Sequence, residues 1–128
     1  MDNLDKKVVE CPVNLAVNLI NKKWTIQILR DIFFGKTHFN EFKENKSVSN
    51  KVLSECLKEM EENRLIKKIT SPDKTNTEYQ LTSLGKSMNR VLYELAMFTL
   101  NNEISDKYYT EETKNDLKQS FKRTLDIK

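Results

Sequence analysis

The chain has 128 residues, enough for one domain whose hydrophobic core requires neither disulfides nor metal. Only two glycines and two prolines are typical of a mostly helical protein with few tight turns. The formal net charge of +3 is modest and by itself does not distinguish a DNA-binding protein. No apolar stretch is long enough to span a bilayer, and the first residues lack the basic and apolar regions of a signal peptide. We therefore expect a cytoplasmic protein with no membrane partner.

The first part of the chain predicts an arm and two helices. Residues 1 to 10 are mainly charged, and we expect them to form an N-terminal arm. Pro12 suits the first position of a helix, and the apolar pattern continues to Asn21, a residue that tolerates the left-handed conformation in which many helices end. A second helix is predicted from Trp24 to the residue before Gly35, and we interpret the single tryptophan as a core anchor.

The middle of the chain predicts a helix-turn-helix. His38-Phe39 has strand character, Asn40 suits the cap of a short helix from Glu41 to Glu44, and Ser49 suits the cap of the next helix. That second helix has an apolar face at helical spacing, formed by Val52, Leu53, Cys56, Leu57 and Met60. Its opposite face carries side chains that can bind base edges or phosphates, namely Ser49, Asn50, Lys51, Ser54, Glu55 and Lys58. We expect this helix to pack on a core with one side and to enter a DNA groove with the other.

Two short runs with strand character follow, Ile66 to Thr70 and Thr77 to Leu81, around a turn-rich segment, residues 71 to 76. They predict a hairpin with a polar tip, the wing. Helix, turn, helix and hairpin in this order indicate a winged helix-turn-helix, and duplex DNA is the expected partner. Further DNA contacts are expected beside the second helix and at the wing tip, from Asn40, Lys43, Lys46, Lys74, Thr75 and Asn76.

The last part of the chain predicts a dimerisation helix and a tail. Thr82 suits the cap of a long helix from Ser83 to about Asn102, whose apolar stripe is longer than one small core can cover. A second copy of the chain is the simplest cover, with contacts expected from Leu92, Leu95, Phe98 and Thr99. Residues 104 to 128 are expected to form a helical extension, since apolar residues recur there at Tyr109, Leu117, Phe121 and Leu125. The fold class predicted is mainly α with a small β-hairpin and a long C-terminal dimerisation helix.

Several phrases of the sequence resemble the HxlR-type family of bacterial transcription regulators, which are relatives of the MarR-like winged-helix proteins. The phrases are Cys11-Pro12-Val13, Lys23-Trp24-Thr25, Ile28-Leu29-Arg30, Phe39-Asn40-Glu41-Phe42, Ser49 to Ser54 and Tyr79 to Gly85. The resemblance covers about residues 11 to 100, and we expect the winged domain to extend over residues 11 to 103. The resemblance implies a homodimer that binds a pseudo-palindromic operator, with one recognition helix per subunit in the major groove and the wings reaching toward the flanking DNA.

The chain departs from the family pattern in two places. Asn21-Lys22 stands where the family usually has glycines before its Lys-Trp pair, so the turn there must form differently. The wing tip offers Lys74 with Thr75 and Asn76 where the family commonly carries an arginine, which argues against an arginine inserted in the minor groove.

The cysteines admit two interpretations. Some members of the family resemble thiol sensors of oxidants or electrophiles that use a cysteine at the position of Cys11, and a helix N-terminus favours the reactive thiolate. The alternative is that both cysteines stay reduced and inert, with Cys56 as a small core residue. No catalytic motif is present, so we expect no enzyme activity and no cofactor. His38 is interpreted as a strand residue near the DNA-facing edge, with no second metal ligand beside it.

Three functions remain open from the sequence alone. The first is a sequence-specific regulator, with repression favoured over activation because repression requires only occupancy of a promoter. The second is a winged-helix protein-interaction module, although the polar residues Asn50, Lys51 and Ser54 do not suit an apolar docking surface. The third is a regulator with a small-molecule pocket between the dimer helix and the core, lined by Trp24, Phe33, Tyr93 and Phe98.

Overall fold

A computed structural model describes residues 9 to 128 of the chain. Most of the predicted N-terminal arm therefore lies outside the described residues. The elements in chain order are α1 (Pro12–Ile20), α2 (Thr25–Phe33), α3 (Phe39–Lys43), α4 (Asn50–Glu62), β1 (Ile66–Thr70), β2 (Thr77–Leu81), α5 (Ser83–Lys86), α6 (Asn89–Leu100), a 3-10 turn (Glu103–Ser105) and α7 (Glu111–Thr124). The described residues are thus mainly helical with one antiparallel hairpin, as predicted.

The core lies between α2, α4 and the hairpin. Ile28 and Leu29 of α2, Phe42 of α3 and Leu53 of α4 are completely buried. The Phe42 ring contacts Tyr79 of β2 edge to face, with ring centroids 6.0 Å apart. The hairpin pairs from Ile66 with Leu81 to Thr70 with Thr77, over the two runs predicted as strands. This packing attaches α4 and the hairpin to the same hydrophobic core.

The strand predicted at His38-Phe39 is wrong. The carbonyl of Thr37 accepts one hydrogen bond from the backbone N–H of Tyr79, at 2.8 Å, but no ladder continues from it. Helix α3 already begins at Phe39, and His38 is its cap residue, in extended conformation. Asn40 therefore lies within α3 and does not cap it.

The long helix predicted from Ser83 to Asn102 is two helices. Thr82 caps the first as predicted, because its Oγ1 accepts from the backbone N–H of Gly85 at 3.1 Å. The chain then leaves the helical pattern at Ser87, whose hydroxyl donates to the Leu84 carbonyl at 2.5 Å, a local side-chain bond of the kind that competes with helix continuation. Gly85 has no room for a side chain, since a Cβ there would lie 2.1 Å from the Leu65 carbonyl oxygen.

The tail packs on its own chain. Phe121 of α7 contacts Phe34 edge to face, with centroids 5.2 Å apart, and Leu125 is 1% exposed within the main core. The Asn89 amide donates to the Leu125 carbonyl at 2.9 Å and joins α6 to the end of α7. Helix α7 is amphipathic as predicted, although Tyr109 precedes it and is 37% exposed.

Two smaller observations concern the end of α1 and the lengths of the helices. Asn21 ends α1 in the right-handed region, with φ −80°, and not in the left-handed conformation. Within residues 9 to 128, every helix is too short or too polar to cross a bilayer.

Candidate nucleic-acid interface

Helix α4 begins where the sequence predicts and turns one face to the core. The Ser49 hydroxyl accepts from the backbone N–H of Val52 at 3.1 Å, so its side chain serves as the helix cap. Leu53, Leu57 and Met60 are buried on one side. Val52 was expected on that side as well, but it is 43% exposed, because it lies about 100° around the helix from the buried Leu53 and lines the edge of a cavity.

The opposite face of α4 is open and polar. Five residues predicted to bind DNA are exposed there, namely Asn50, Lys51, Ser54, Glu55 and Lys58. Asn40 of α3 is exposed as well, and the Lys43 ammonium of α3 donates to the Asn50 amide oxygen at 2.5 Å. A cation from α3 therefore stands at the start of the exposed face.

Lys46 does not belong to this surface. Its side chain is 1% exposed, and its ammonium is ion-paired with the carboxylate of Asp31 on α2. Arg30 donates to the other oxygen of the same carboxylate at 2.9 Å. Lys46 is thus directed into the protein and unavailable to a DNA phosphate. The pair instead anchors the turn in which Asn45 adopts a positive φ of 60°.

The wing tip is a preformed polar turn. Asp73 accepts from the Ser71 hydroxyl at 2.7 Å, and from both the hydroxyl and the backbone N–H of Thr75, at 2.7 and 3.1 Å. These hydrogen bonds lower the pKa of Asp73 from 3.8 to about 2. Lys74 is exposed with a positive φ of 61°, whereas the Thr75 hydroxyl is already engaged by Asp73. Lys74 is the cation that this turn presents.

His38 is the residue in this region whose role the sequence analysis missed. Its Nε2 lies 2.9 Å from Oδ1 of Asn76, so the predicted DNA contact Asn76 is bonded within the protein. The Glu41 carboxylate accepts from the backbone N–H groups of Thr37 and His38, at 3.0 and 2.9 Å, and these bonds lower the pKa of Glu41. Glutamate three residues after a cap position is a recognised helix-start signal, and it could have located α3 correctly.

The two cysteines lie in different surroundings. Cys11 occupies the N-cap position of α1 in extended conformation, without a cap hydrogen bond from its side chain, and it is partly exposed. Lys6 and Lys7, which precede it in the sequence, lie outside the described residues. Cys56 is 6% exposed, its Sγ lies 3.7 Å from the Thr25 hydroxyl, and burial raises the pKa of its thiol. Cys56 is therefore a core residue, as expected.

Two cavities adjoin these elements. One of about 340 Å³ lies between the α1–α2 turn and α4 and is lined in part by Trp24 and Cys56. The other, of about 210 Å³, lies between α2, α6 and α7 and is lined mainly by apolar side chains, including Ile26, Phe34, Leu95 and Phe121. The four residues expected to line a pocket between the dimer helix and the core, Trp24, Phe33, Tyr93 and Phe98, do not line this apolar cavity. Trp24 is only partly buried, since it also faces the first cavity.

The residues expected at a dimer contact divide into two groups. Leu92 is 4% exposed and belongs to the core of its own chain, because α7 covers that side of α6. Leu95 and Phe98 are 50% and 65% exposed, and Thr99 beside them is partly exposed. Helix α1 is apolar, and none of its residues is buried.

A helix-turn-helix followed by a two-stranded hairpin, with an open polar face on the second helix, defines the winged helix-turn-helix class. The model of one family, the HxlR-like helix-turn-helix family, matches residues 19–107. The chain belongs to this family of transcription regulators, as the motifs of the sequence indicate. The family consists of regulators and not of enzymes, in agreement with the expectation of no catalysis.

Known relatives are also assigned as helix-turn-helix transcriptional regulators. The chain is 33% identical to the uncharacterized HTH-type transcriptional regulator YvaP of Bacillus subtilis over 89 residues, which are 67% of this chain and 82% of YvaP. Three HTH-type transcriptional regulators from mycobacteria are 32% identical to the chain over 77 residues. The chain matches about half of the length of these three relatives, 49%.

Two solved structures are similar in fold. A MarR-family regulator from Porphyromonas gingivalis W83 has a TM-score of 0.64 and 30% identity, over 73% of this chain and 93% of that chain. The reduced form of the transcriptional regulator YodB from B. subtilis has a TM-score of 0.59 and 29% identity, over 71% and 92% of the two chains. The HxlR and MarR-like assignments therefore agree with each other.

Proposed function

We propose that the protein is a sequence-specific, homodimeric DNA-binding regulator, and that it acts as a repressor. The observation that carries this proposal is the open polar face of α4. Asn50, Lys51 and Ser54 project from its first turns away from the core, and an α-helix fits the major groove of B-DNA. Repression is favoured because occupancy of a promoter alone is enough to block it.

The charges around α4 support one orientation on DNA. Lys43 and Lys51 stand at the start of the helix, and Lys74 is exposed at the wing tip. Glu59, Glu61 and Glu62 crowd the far end of α4 and would repel phosphates. The N-terminal end of α4 therefore enters the groove, with the wing beside it.

A homodimer follows from apolar surface that a single chain leaves open. Helix α1 exposes Val13 and Val17, and α6 exposes Val91, Leu95 and Phe98. A second copy is the occupant proposed, because a two-fold dimer buries the same patch on both partners and presents two recognition helices to one operator. Leu92, being buried, is left out of this interface.

Binding is tested on DNA fragments that the purified protein retains from its own genome, whose sequences give the operator. Asn50→Ala and Lys51→Ala should each weaken operator binding by about 1 to 3 kcal/mol, since both remove base or phosphate contacts. Lys74→Ala should weaken all sequences about equally. Lys107→Ala removes the same charge from an exposed position in the tail and should bind like the parent. Equal binding of the parent and both α4 variants in the same salt would refute the proposal.

Assembly is tested by replacing both Leu95 and Phe98 with glutamate. The double variant should be a folded monomer by light scattering and circular dichroism, because two charges in an apolar interface oppose association. Ile69→Glu places one such charge at a comparably exposed apolar residue, 42% exposed on the wing, and should remain a dimer. If the double variant kept the dimer mass, the interface would have to lie elsewhere.

Two candidates for the signal that controls DNA binding are supported by different observations. Cys11 is partly exposed at the start of α1, and the similar YodB structure is described as a reduced form, which supports thiol sensing. The apolar cavity between α2, α6 and α7 supports a small-molecule effector instead. Oxidant-dependent DNA release that requires Cys11 would favour the first.

A further inference from the structure

His38 contacts side chains from two different parts of the fold. Its Nε2 lies 2.9 Å from Oδ1 of Asn76, next to the wing tip. Its Nδ1 lies 3.2 Å from Oε1 of Glu41 in α3 and 2.9 Å from the Thr37 hydroxyl. A single imidazole therefore joins the first helix of the helix-turn-helix to the wing.

The surroundings of the imidazole favour its charged form. Each ring nitrogen faces an oxygen that accepts hydrogen bonds, and only the imidazolium can donate to Asn76 and Glu41 at once. The Asn76 amide is oriented by a contact from its Nδ2 to Oε2 of Glu78, at 3.4 Å. Hydrogen bonds to Asn76 and Glu41, with the nearby charges of Glu41 on α3 and Glu78 on β2, raise the pKa of His38 above 6.5.

Deprotonation removes one of the two donors. The tautomer protonated at Nε2 keeps Asn76 and can accept from Thr37, but it no longer donates to Glu41. The tautomer protonated at Nδ1 keeps Glu41 and sets an unprotonated Nε2 against the Asn76 oxygen, two acceptors face to face. The neutral ring thus divides between a state that keeps the hydrogen bond to Asn76 and a state that loses it.

We propose that His38 is the positioning residue of the wing, whose imidazolium fixes the hairpin against α3 in the orientation that the proposed DNA complex requires. This inference rests on the proposed function, because wing position matters only if the wing meets DNA. It predicts tighter DNA binding when His38 is charged. Since the pKa is raised, that advantage is complete below pH 6.5 and is lost as the pH rises through the raised value.

The link is tested first in the free protein. The chain has one histidine, so the imidazole Hε1 signal in an NMR titration over roughly pH 5 to 8 reports His38 alone. The midpoint should lie above 6.5 in the parent and should fall in Asn76→Ala. Asn101→Ala removes a comparable exposed amide from the end of α6 and should leave the midpoint unchanged. A parent midpoint at or below 6.5, or one that Asn76→Ala does not change, would overturn the proposal.

The consequence is tested on DNA with His38→Gln, which keeps a polar side chain but carries no charge at any pH. Affinity of the parent should fall about two- to fivefold between pH 6 and pH 8, the size expected for one exposed charge-assisted contact. The glutamine variant should show no such fall, and identical pH profiles would overturn the proposal. If the parent bound no DNA at any pH, the proposed function would be wrong. The midpoint of the His38 titration in the free protein would still test whether His38 joins α3 to Asn76.

Discussion

The ammonium of Lys46 is ion-paired with the carboxylate of Asp31, and the two side chains are only 1% and 5% exposed. Lys46 belongs to the turn that precedes α4, and Asp31 belongs to α2 of the core. Two charges out of water are retained only where each satisfies the other. The pair therefore fixes the turn, and with it the start of the proposed recognition helix, to the core.

Loss of Asp31 should destabilise the fold strongly. Asp31→Ala leaves the Lys46 ammonium buried without its partner, and we expect a loss of about 3 to 5 kcal/mol in the free energy of unfolding. Urea denaturation followed by circular dichroism measures it. Glu44→Ala removes an exposed carboxylate two residues before Lys46 and should change stability by less than about 0.5 kcal/mol. Equal stability of the two variants would mean that the pair does not hold the turn.

The tail should contribute to the stability of the whole domain. Leu125→Ala opens a cavity at a side chain that is 1% exposed in the main core, and it should cost about 2 to 5 kcal/mol. Leu84→Ala, at a leucine that is 46% exposed, should cost less than about 0.5 kcal/mol. Thermal and urea unfolding give both values. A Leu125→Ala variant as stable as the Leu84→Ala variant would show that the tail is not part of the cooperative unit.

Asp73 should titrate well below an ordinary aspartate. Its carboxylate accepts hydrogen bonds from Ser71 and Thr75, so its NMR midpoint should lie at about 2 and not at 3.8. Because the folded pKa is the lower one, the stabilisation is fully present above pH 3.8 and is lost as the pH falls through about 2. Thr75→Val removes one donor and should move the midpoint toward 3.8. An unchanged midpoint in that variant would contradict the hydrogen bond.

Cys11 should react with an electrophile before Cys56 does. A thiolate adds to a ring carbon of a quinone: a C–S bond forms as the C=C π bond breaks, and the electrons move to a carbonyl oxygen, which takes a proton from water. The proton of the attacked carbon then transfers to the second oxygen, which gives the hydroquinone adduct. Cys11 is partly exposed, whereas Cys56 is buried with a raised thiol pKa. Mass spectrometry should place the first adduct on Cys11, and operator affinity should fall in the parent and in Cys56→Ser but not in Cys11→Ser. Full modification of Cys11 without any change in affinity would exclude a sensing role.

Local signals predicted most of the elements correctly. The strand limits, the Ser49 cap and the Thr82 cap follow from nearby residues alone, since β-branched runs and hydroxyl caps act within a few positions. The expectation for His38-Phe39 is wrong because the carboxylate of Glu41 accepts from the backbone N–H groups of Thr37 and His38 and so favours the start of a helix over a strand.

Errors in the predicted sites have a non-local cause. The position of Lys46 beside α4 suggested DNA, but a carboxylate on α2 binds its ammonium. Leu92 has the spacing of an interface residue, but α7, far along the chain, covers it. The periodicity of the sequence predicts the faces of one helix but not what packs against them, so it indicates neither the Asp31 partner of Lys46 nor the covering of Leu92 by α7. The exposed DNA contacts on α4 and at Lys74 stay predictions until DNA is bound.

The edge-to-face contact of Phe34 with Phe121 also bears on how the protein is made. During synthesis, Phe121 and Leu125 are added after α2 and α6, so the apolar surface that they cover on these helices stays open until the tail is made. The contact between Phe34 and Phe121 closes a long loop, and such non-local contacts form slowly compared with helices. A nascent chain stalled before Phe121 would present that apolar surface to chaperones.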